Sequence, residues 1–298
     1  MELIEIQAFA MIAEHSNFTR AADALFISQP AISRRIALLE REFGVPLFER
    51  LSSGVRLTDA GVAFLPYARH AIASLGDGVA AVRTLQDGFH GKVSLALVGT
   101  LASTMLLRRL AAFRDAHPDV RLMLQTARSD EVGVLVQKGD AALGLRYFED
   151  VSPALVSEQV ALEELGIVCS GHSRLVPNNV RFAQDLRGIP WVTFPTGTRS
   201  SGEPFARELD RLVDKLGLGG SERILIDSLT AQKRMIESDF GIGLMPGSAV
   251  TEEIRLGSLR GIVIEGGAMT VPIHLLTRVD GYESAAMTRL IAALRQRA

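Results

Sequence analysis

Polar side chains occupy the first two turns of a helix that the sequence predicts to begin near residue 29. Gln29, Ser33 and Arg34 supply an amide, a hydroxyl and a guanidinium group there. Another side of the same helix carries an apolar stripe, at spacings of four, three and four residues: Ile32, Ile36, Leu39 and Phe43. The stripe predicts a buried face, and the polar groups are of the kinds that can bond base edges and phosphates in a major groove.

Two shorter helices are predicted to position this one. Residues 3–14 carry apolar side chains at helical spacing, and Thr19 is predicted to cap a second helix after a break at residues 15–18. Ser28 is predicted to cap the third helix, which has Pro30 in its first turn and is expected to end near residue 42. Two helices joined by a short turn, with polar groups at the start of the second, indicate a helix-turn-helix.

A short β-hairpin is predicted after the third helix. Residues 47–50 and 55–57 have the pattern of strands around a Ser-Ser-Gly turn, which would form a wing. Arg50 and Arg56 flank the turn and could reach phosphates or the minor groove. A small helical bundle with solvated arginines is the alternative, because residues 17–56 hold six arginines against four acidic residues, which is a weak basic excess.

The run NFTRAADALFISQPAISRRIALLEREFGVPLFERLSSGVRLTDAG, residues 17–61, resembles the N-terminal signature of LysR-type transcriptional regulators. The match is dense over about 45 consecutive residues, which makes it highly specific. The resemblance implies that Gln29, Pro30, Ser33 and Arg34 contact DNA from the recognition helix. It also implies that Arg50 and Arg56 serve the wing.

A longer helix is predicted to follow, with Thr58 as its cap and Asp59 in its first turn. Its apolar residues alternate at three and four positions, as in a heptad seam: Leu65, Ala68, Ile72, Leu75, Val79 and Val82. The seam is consistent either with packing on its own domain or with pairing between two chains. Regulators of the LysR type have such a paired linker helix, so the resemblance implies a dimer, and two dimers combined into a homotetramer.

The pattern changes after two glycines in residues 86–92, where a domain boundary is expected. Short apolar runs then alternate with helical stretches, which predicts an α/β architecture with largely parallel sheets. Ligands of open α/β sheets bind at the carboxyl ends of the strands. These ends hold hydroxyl groups, helix N-termini and three arginines that could bind a carboxylate: Arg128, Arg146 and Arg199.

Three segments of this half also resemble the LysR type: DFGIGLMP strongly, CSGHSRL with Ser173 where proline is usual, and KGDAALGL more loosely. The resemblance implies a two-lobed effector domain similar to type 2 periplasmic binding proteins, with two crossing strands and an inducer in the cleft. Carried over by position, the cleft residues would be Thr100, Arg128, Ser129, Arg146, Thr196, Thr198 and Met245.

The expected fold is therefore multi-domain, with three parts. A mainly α winged helix-turn-helix spans residues 1–58, a linker helix 59–88 and the α/β effector domain 89–298. Lobe I of the effector domain is expected at about 92–161 and 270–298, and lobe II at about 162–269. The predicted function is a DNA-binding transcriptional regulator in which a small organic anion in the cleft changes the binding or the bend of DNA.

Other classes of protein are disfavoured by the sequence. No catalytic motif is found, and the six histidines are scattered without metal-ligand spacing, so neither an enzyme nor a metal or other cofactor is expected. The formal net charge of −2 gives no global sign of nucleic-acid binding, and a solute-binding protein without sequence-specific DNA activity is the alternative function. A lone cysteine, Cys169, and the lack of a long apolar run or a signal peptide predict a cytoplasmic protein without a membrane partner.

Overall fold

Three helices and a two-stranded ribbon form the amino-terminal part of the computed structural model, which describes residues 1–51, 54–86, 91–103, 105–196, 204–265 and 268–295. These elements are α1 (Leu3–His15), α2 (Phe18–Ala24), α3 (Gln29–Phe43), β1 (Phe48–Leu51) and β2 (Gly54–Leu57). β1 and β2 pair antiparallel, with Phe48 opposite Leu57. The predicted wing is confirmed, although Ser52 and Ser53 at its turn lie outside the described residues.

The helix boundaries follow the capping side chains. Ser28 caps α3 as predicted, since its Oγ accepts a hydrogen bond from the backbone N–H of Ala31 at 3.3 Å. The prediction for Thr19 is wrong: Asn17 caps α2, because its side-chain oxygen accepts from the N–H groups of Thr19 and Arg20. Asn17 is in extended conformation one residue before the helix, which is the geometry that a cap needs.

The apolar stripe of α3 is buried over its first three members, Ile32, Ile36 and Leu39. Phe43, predicted to face inward with them, is 41% exposed. Its ring meets Phe64 edge-on, with centroids 4.8 Å apart. The stripe is thus incomplete at its end, because the last turn of α3 extends past the small core and touches the next helix.

That next helix, α4 (Asp59–Gln86), has 28 residues and is therefore about 42 Å long. Thr58 caps it by accepting from the N–H of Gly61 at 3.1 Å. The first half of the seam packs against the hydrophobic core of the winged helix-turn-helix, which we call the winged core. Ala68 is buried there, and Leu65 and Ile72 are partly buried. The second half is exposed in this chain: Leu75, Val79 and Val82. Packing on its own domain thus accounts for the first half of the seam, and it leaves the second half exposed.

The rest of the chain begins with β3 (Lys92–Val98), α5 (Met105–Ala116), β4 (Arg121–Ala127), α6 (Ser129–Lys138) and β5 (Leu143–Tyr147). Then follow β6 (Leu155–Ser170), β7 (Trp191–Thr193), α7 (Pro204–Lys215), β8 (Arg223–Leu225), α8 (Leu229–Glu237), β9 (Gly243–Pro246), α9 (Thr251–Leu256), β10 (Leu259–Ile262), β11 (Met269–Arg278) and α10 (Ala285–Arg295). Short 3-10 helices lie at Gly99–Ser103, Ala183–Leu186 and Gly247–Ala249.

Among the described residues, seven of these strands join into one sheet in the order β10-β6-β11-β5-β3-β4, with β9 also paired to β6. β3 runs parallel to β4 and β5, but β6 runs antiparallel to β9, β10 and β11. The prediction of largely parallel sheets is therefore wrong. The reason is that one long strand, β6, continues from one lobe into the other and pairs with a strand that returns.

β6 and β11 are the two crossing strands. Residues 155–165 of β6 pair with β11 beside β5, and residues 165–170 pair with β9 and β10 in the other lobe. The parallel pair β7–β8 adds a second small sheet to that lobe. The two-lobed α/β domain is thus confirmed. The helices of the described residues include no candidate membrane span.

Candidate nucleic-acid interface and inter-lobe cleft

The exposed start of α3 carries the predicted DNA-contact side chains. Gln29, Pro30 and Arg34 are exposed, and Ser33 is partly exposed on the next turn. Gln29 Nε2 donates to Ser33 Oγ at 3.1 Å, so the two side chains hold each other along one face. An amide and a hydroxyl placed in this way offer both donors and acceptors to base edges.

The wing places two arginines on opposite strands. Arg56 on β2 is exposed and pairs with Glu49 on β1, with 2.6 Å between Nε and Oε1. Exposed ion pairs of this kind contribute little stability, so a phosphate can replace the carboxylate at small cost. Arg50 lies in β1 opposite Val55, and the structure describes its backbone but not its side chain.

A cavity of about 630 Å³ opens between the two lobes, at the carboxyl ends of β3 and β4. Thr100 and Arg128, which were among the predicted cleft residues, line it. The other lining residues are Val98, Gly99, Thr126, Ala127, Glu131, Phe194, Pro195, Phe205, Ala206, Asp227 and Leu229. The strand ends of the two lobes therefore meet around one space, as the alternation of strands and helices predicted.

Three predicted cleft residues do not line this cavity. Arg146 is buried and paired with Asp150, with 2.6 Å between Nη1 and Oδ2, and its Nε donates to the carbonyl of Tyr147. Met245 packs in a core cluster of lobe II with Val168 and Ile236, because β9 turns it inward. Ser129 is buried in the first turn of α6, between the lining residues Arg128 and Glu131.

Two further predicted residues lie near the gap in the described chain. Thr196 follows Pro195, which lines the cavity, and is half-buried. Thr198 lies outside the described residues, as does Arg199. Their predicted contacts with a ligand remain predictions.

An aromatic contact that no sequence pattern indicated joins the lobes beside the cavity. Tyr147 at the end of β5 stacks on Phe205 of α7, with ring centroids 4.2 Å apart and planes 13° apart. Phe194 meets the same ring edge-on at 6.1 Å. Burial raises the pKa of the Tyr147 phenol well above its ordinary value, so the hydroxyl stays protonated. The two phenylalanines give the cavity an apolar wall on the lobe II side.

A buried carboxyl group lies on the crossing strand β6. Glu163 is 6% exposed and accepts from the hydroxyl of Ser248 at 2.6 Å. Burial raises the pKa of Glu163, and the bonds from Ser248 only partly offset that effect. Because Ser248 follows β9, this contact fastens a loop of lobe II to the strand that links the lobes.

The end of lobe I that lies away from the cavity contacts α1 and α4. Lys138, in the last turn of α6, pairs with Glu14 of α1, with 2.7 Å between Nζ and Oε2. Arg278 at the end of β11 pairs with Asp77 of α4 at 2.5 Å, and the Arg278 side chain is 9% exposed. We call these two ion pairs the junction.

A glycine allows the junction to close. Gly139, at φ +80°, ends α6 and lies against both Arg278 and α4. A Cβ at this position would come within 2.6 Å of Arg278 Nη1 and 3.3 Å of the Cβ of Ala73.

Among the described residues, no group of three or more His, Cys, Asp or Glu side chains is placed to hold a metal ion.

Comparison with known families explains this arrangement. Residues 86–298 match the LysR substrate binding domain, and residues 3–62 match the bacterial regulatory helix-turn-helix proteins of the lysR family. The chain belongs to the LysR family of transcriptional regulators. The helix-turn-helix and the effector-binding domain of a DNA-binding regulator are thus both present, which the alternative of a solute-binding protein without DNA activity does not explain.

Relatives of this LysR-family regulator match over nearly the whole chain. The HTH-type transcriptional regulator TfdS of Cupriavidus pinatubonensis is 29% identical over 281 residues, which cover 94% of this chain and 93% of that protein. A probable RuBisCO transcriptional regulator of Thalassiosira pseudonana is 23% identical over 95% of this chain and 94% of its own length.

Solved structures of CbnR, a LysR family transcriptional regulator, have the same fold. One is 27% identical, covers 99% of this chain and 98% of its own, and superposes with a TM-score of 0.65. Another, of full-length CbnR with its target DNA, is also 27% identical, covers 99% of both chains and has a TM-score of 0.64.

Proposed function

We propose that this LysR-family regulator binds operator DNA through α3 and the wing, and that a small carboxylate-bearing molecule in the inter-lobe cavity changes that binding. Each part of the chain, within the predicted boundaries, has one role: residues 1–58 bind DNA, 59–88 link two chains and 89–298 bind the effector. Within the last part, lobe I comprises about 92–161 and 270–298, and lobe II about 162–269. The regulator acts in the cytoplasm and catalyses no reaction.

DNA is contacted by the exposed groups at the start of α3 and on the wing. Gln29, Pro30, Ser33 and Arg34 read base edges, and Arg50 and Arg56 bind phosphates or the minor groove. The mutual bond of Gln29 and Ser33 supports this assignment, since it fixes both side chains on the exposed face before DNA arrives. Such preorganisation lowers the entropic cost of a specific contact.

Two chains pair through the exposed half of α4. Leu75, Val79 and Val82 form an apolar seam that has no partner among the described residues of one chain, and pairing two such seams would bury it. A dimer also presents two recognition helices to two half-sites, which raises the effective concentration of the second. Two dimers then combine into a tetramer.

The effector binds at Thr100 and Arg128, with Thr196 and Thr198 closing the site from lobe II. Arg128 precedes α6, so a carboxylate that displaces Asp130, which lies 3.5 Å from the Arg128 guanidinium group, meets that group and a helix N-terminus together. Phe194 and Phe205 would receive the apolar part of the molecule. A small organic acid with an apolar body therefore fits the cavity.

One observation supports a link between effector binding and DNA binding. The first turn of α6 lines the cavity, and its last turn contacts α1 of the winged helix-turn-helix. Arg128 and Glu131 line the cavity at its first turn, and Lys138 contacts Glu14 at its last. The helix has 10 residues and spans about 15 Å as a rigid rod. A ligand that moves its first turn must therefore strain or shift the contact with α1, which alters the placement of α3 on DNA.

Two measurements test the proposal. DNA selected from a random library by the wild-type protein should bind with a steep negative salt slope, and Ser33→Ala or Gln29→Ala should lose about 1–3 kcal/mol of discrimination at particular bases. If selection enriches no sequence, the regulatory function fails. A thermal-shift screen of carboxylates, at 100 times the dissociation constant, should find a ligand that stabilises the protein by about 2.7 kcal/mol.

Variants separate the cavity from the DNA face. Arg128→Ala should abolish the ligand-dependent shift and leave DNA binding intact, because Arg128 is remote from α3. Arg114→Ala, at an exposed arginine of α5 outside the cavity, is the matched control and should respond like the wild type. An unchanged ligand response in Arg128→Ala would remove Arg128 from the site.

A further inference from the structure

Phe26, in the turn between α2 and α3, is 96% exposed, which is the largest exposed fraction of any large apolar side chain among the described residues. Its neighbours Leu25 and Ile27 pack against the winged core. The sequence pattern did not distinguish Phe26 from them, because an apolar residue at a helix end is ordinarily read as core. A phenyl ring left in water gains nothing for the fold.

The backbone conformation of Phe26 is also energetically unfavourable. Its φ is +55°, in the left-handed region that bulky residues rarely adopt. The turn is a Schellman motif: the N–H of Phe26 donates to the carbonyl of Asp23 at 3.1 Å, and that of Ile27 to the carbonyl of Ala22 at 3.0 Å. The left-handed position of this motif is usually glycine, so phenylalanine is a strained choice here.

The position of the ring connects it with the DNA face. Phe26 is two residues before the cap Ser28 and three before Gln29, so its Cα lies within about 7 Å and 11 Å of theirs even with the chain extended. The left-handed turn points the side chain out of the core, on the part of the surface where α3 begins. A recognition helix enters the major groove with this end first.

We propose that Phe26 is a DNA-contact residue of this regulator: its ring packs on an apolar group of the operator, a thymine methyl or a deoxyribose face, beside the bases that α3 reads. The inference rests on the proposed DNA interface and extends it from polar to apolar recognition. Phenylalanine is among the side chains that contact the thymine methyl in the major groove. Burial of the ring on DNA supplies the stabilisation that it lacks in the free protein.

Two substitutions separate this role from a structural one. Phe26→Gly suits the left-handed backbone and should raise Tm by roughly 2–4 °C, yet it should weaken binding to the selected DNA about tenfold. Phe26→Ala should weaken binding to a similar extent. Val263→Ala, at an exposed apolar residue of the effector domain, is the matched control and should leave both quantities unchanged.

Uracil-for-thymine scanning of the selected duplex locates the contact. If one thymine methyl contributes to wild-type binding and contributes nothing with Phe26→Ala, the ring packs on that methyl. If Phe26→Ala weakens binding equally for every substituted duplex, the ring packs on deoxyribose. Both results support the proposal.

Three results would overturn the proposal. One is wild-type affinity of Phe26→Ala while Gln29→Ala loses binding, which leaves the DNA interface standing without Phe26. Another is a loss of self-association in Phe26→Ala by light scattering with unchanged binding per site, which would assign the ring to a protein contact. If the wild-type protein selects no DNA, the inference fails together with the proposed function.

Discussion

Lys138 of the effector domain and Glu14 of the DNA-binding domain form an ion pair of 2.7 Å. Lys138 ends α6, whose first turn lines the cavity, and Glu14 is on α1, which packs against α3. Arg69 of α4 lies near the same carboxylate, whose charge partly offsets the lowering of the Arg69 pKa by burial. In the proposed function, a change in the cavity reaches the DNA-binding domain through this pair.

The first prediction concerns this pair. Lys138→Met should change the free energy of unfolding by less than about 1 kcal/mol, because Glu14 is almost half exposed and solvent screens the pair. The same variant should reduce the effect of the cavity ligand on DNA affinity. Titration of the selected DNA with and without the carboxylate from the screen measures that effect.

The control is an exposed pair of similar geometry, Arg295 with Glu158, which joins α10 to β6 away from the winged part. Arg295→Met should leave the ligand effect on DNA affinity unchanged. A double-mutant cycle of Lys138→Met with Glu14→Gln should show that the two act together. Equal ligand effects in Lys138→Met and the wild type would contradict the role of α6.

The second prediction compares two glycines with nearly the same backbone. Gly139 has φ +80° and Gly188 has φ +79°, but a Cβ on Gly188 meets nothing within 4 Å. Gly188→Ala should therefore lose only the strain of the left-handed region, about 1–2 kcal/mol. Gly139→Ala should lose about 1–3 kcal/mol more, because Arg278 is held by Asp77 and cannot retreat freely. Denaturant unfolding measures both, and equal losses would show that the junction is loosely packed.

The third prediction concerns Arg146, which the family resemblance places in the cleft but which pairs with Asp150 in the structure. Arg146→Met removes the ion-pair partner of the Asp150 carboxylate, which is only 15% exposed and keeps the hydrogen bond from the N–H of Ser152, so it should destabilise the protein by about 3 kcal/mol. Adding Asp150→Asn should recover part of the loss. A stable Arg146→Met variant that fails only in ligand binding would contradict this structural role and place Arg146 in the ligand site.

The fourth prediction concerns pH. Because burial raises the pKa of Glu163, the folded protein binds more protons than the unfolded chain between the ordinary glutamate value and the folded value. The free energy of unfolding therefore falls as pH rises through that window, and the penalty is absent below it. Glu163→Gln removes this contribution while its amide oxygen can still accept from Ser248.

The difference in Tm between Glu163→Gln and the wild type should thus grow in favour of the variant from about pH 4 to pH 8. Glu222→Gln, at an exposed position in lobe II, controls for the loss of one negative charge. A difference that stays constant over the whole range would mean that Glu163 ionises in the folded protein as freely as in the unfolded chain.

The fifth prediction tests the exposed seam of α4. Leu75→Glu places a charge where two seams would meet, so it should shift the protein from dimer or tetramer toward monomer and weaken binding to a two-half-site duplex. Sedimentation analysis measures the first effect. Val263→Glu introduces the same charge at an exposed apolar site elsewhere and should leave the assembly unchanged.

The sequence by itself determined the elements whose signals are local. Ser28 and Pro30 marked the start of α3, the four-three-four spacing selected its buried face, and the dense motif of residues 17–61 indicated the family. Capping bonds and helical periodicity act within a few residues, so they can be read from the chain alone. The wrong prediction for Thr19 also concerns a local contact, since Asn17 and Thr19 are two residues apart and either type of side chain can cap a helix.

Only the tertiary structure decided which residues at the strand ends line the inter-lobe cavity. Thr100 and Arg128 reach the cavity, whereas Arg146 turns to Asp150 and Met245 enters a core, because strand register and the crossing of β6 between lobes set these directions. The junction of Lys138 with Glu14 and of Arg278 with Asp77 joins residues 124 and 201 positions apart. Contacts at such separation depend on how whole domains pack, and no local pattern in the sequence specifies them.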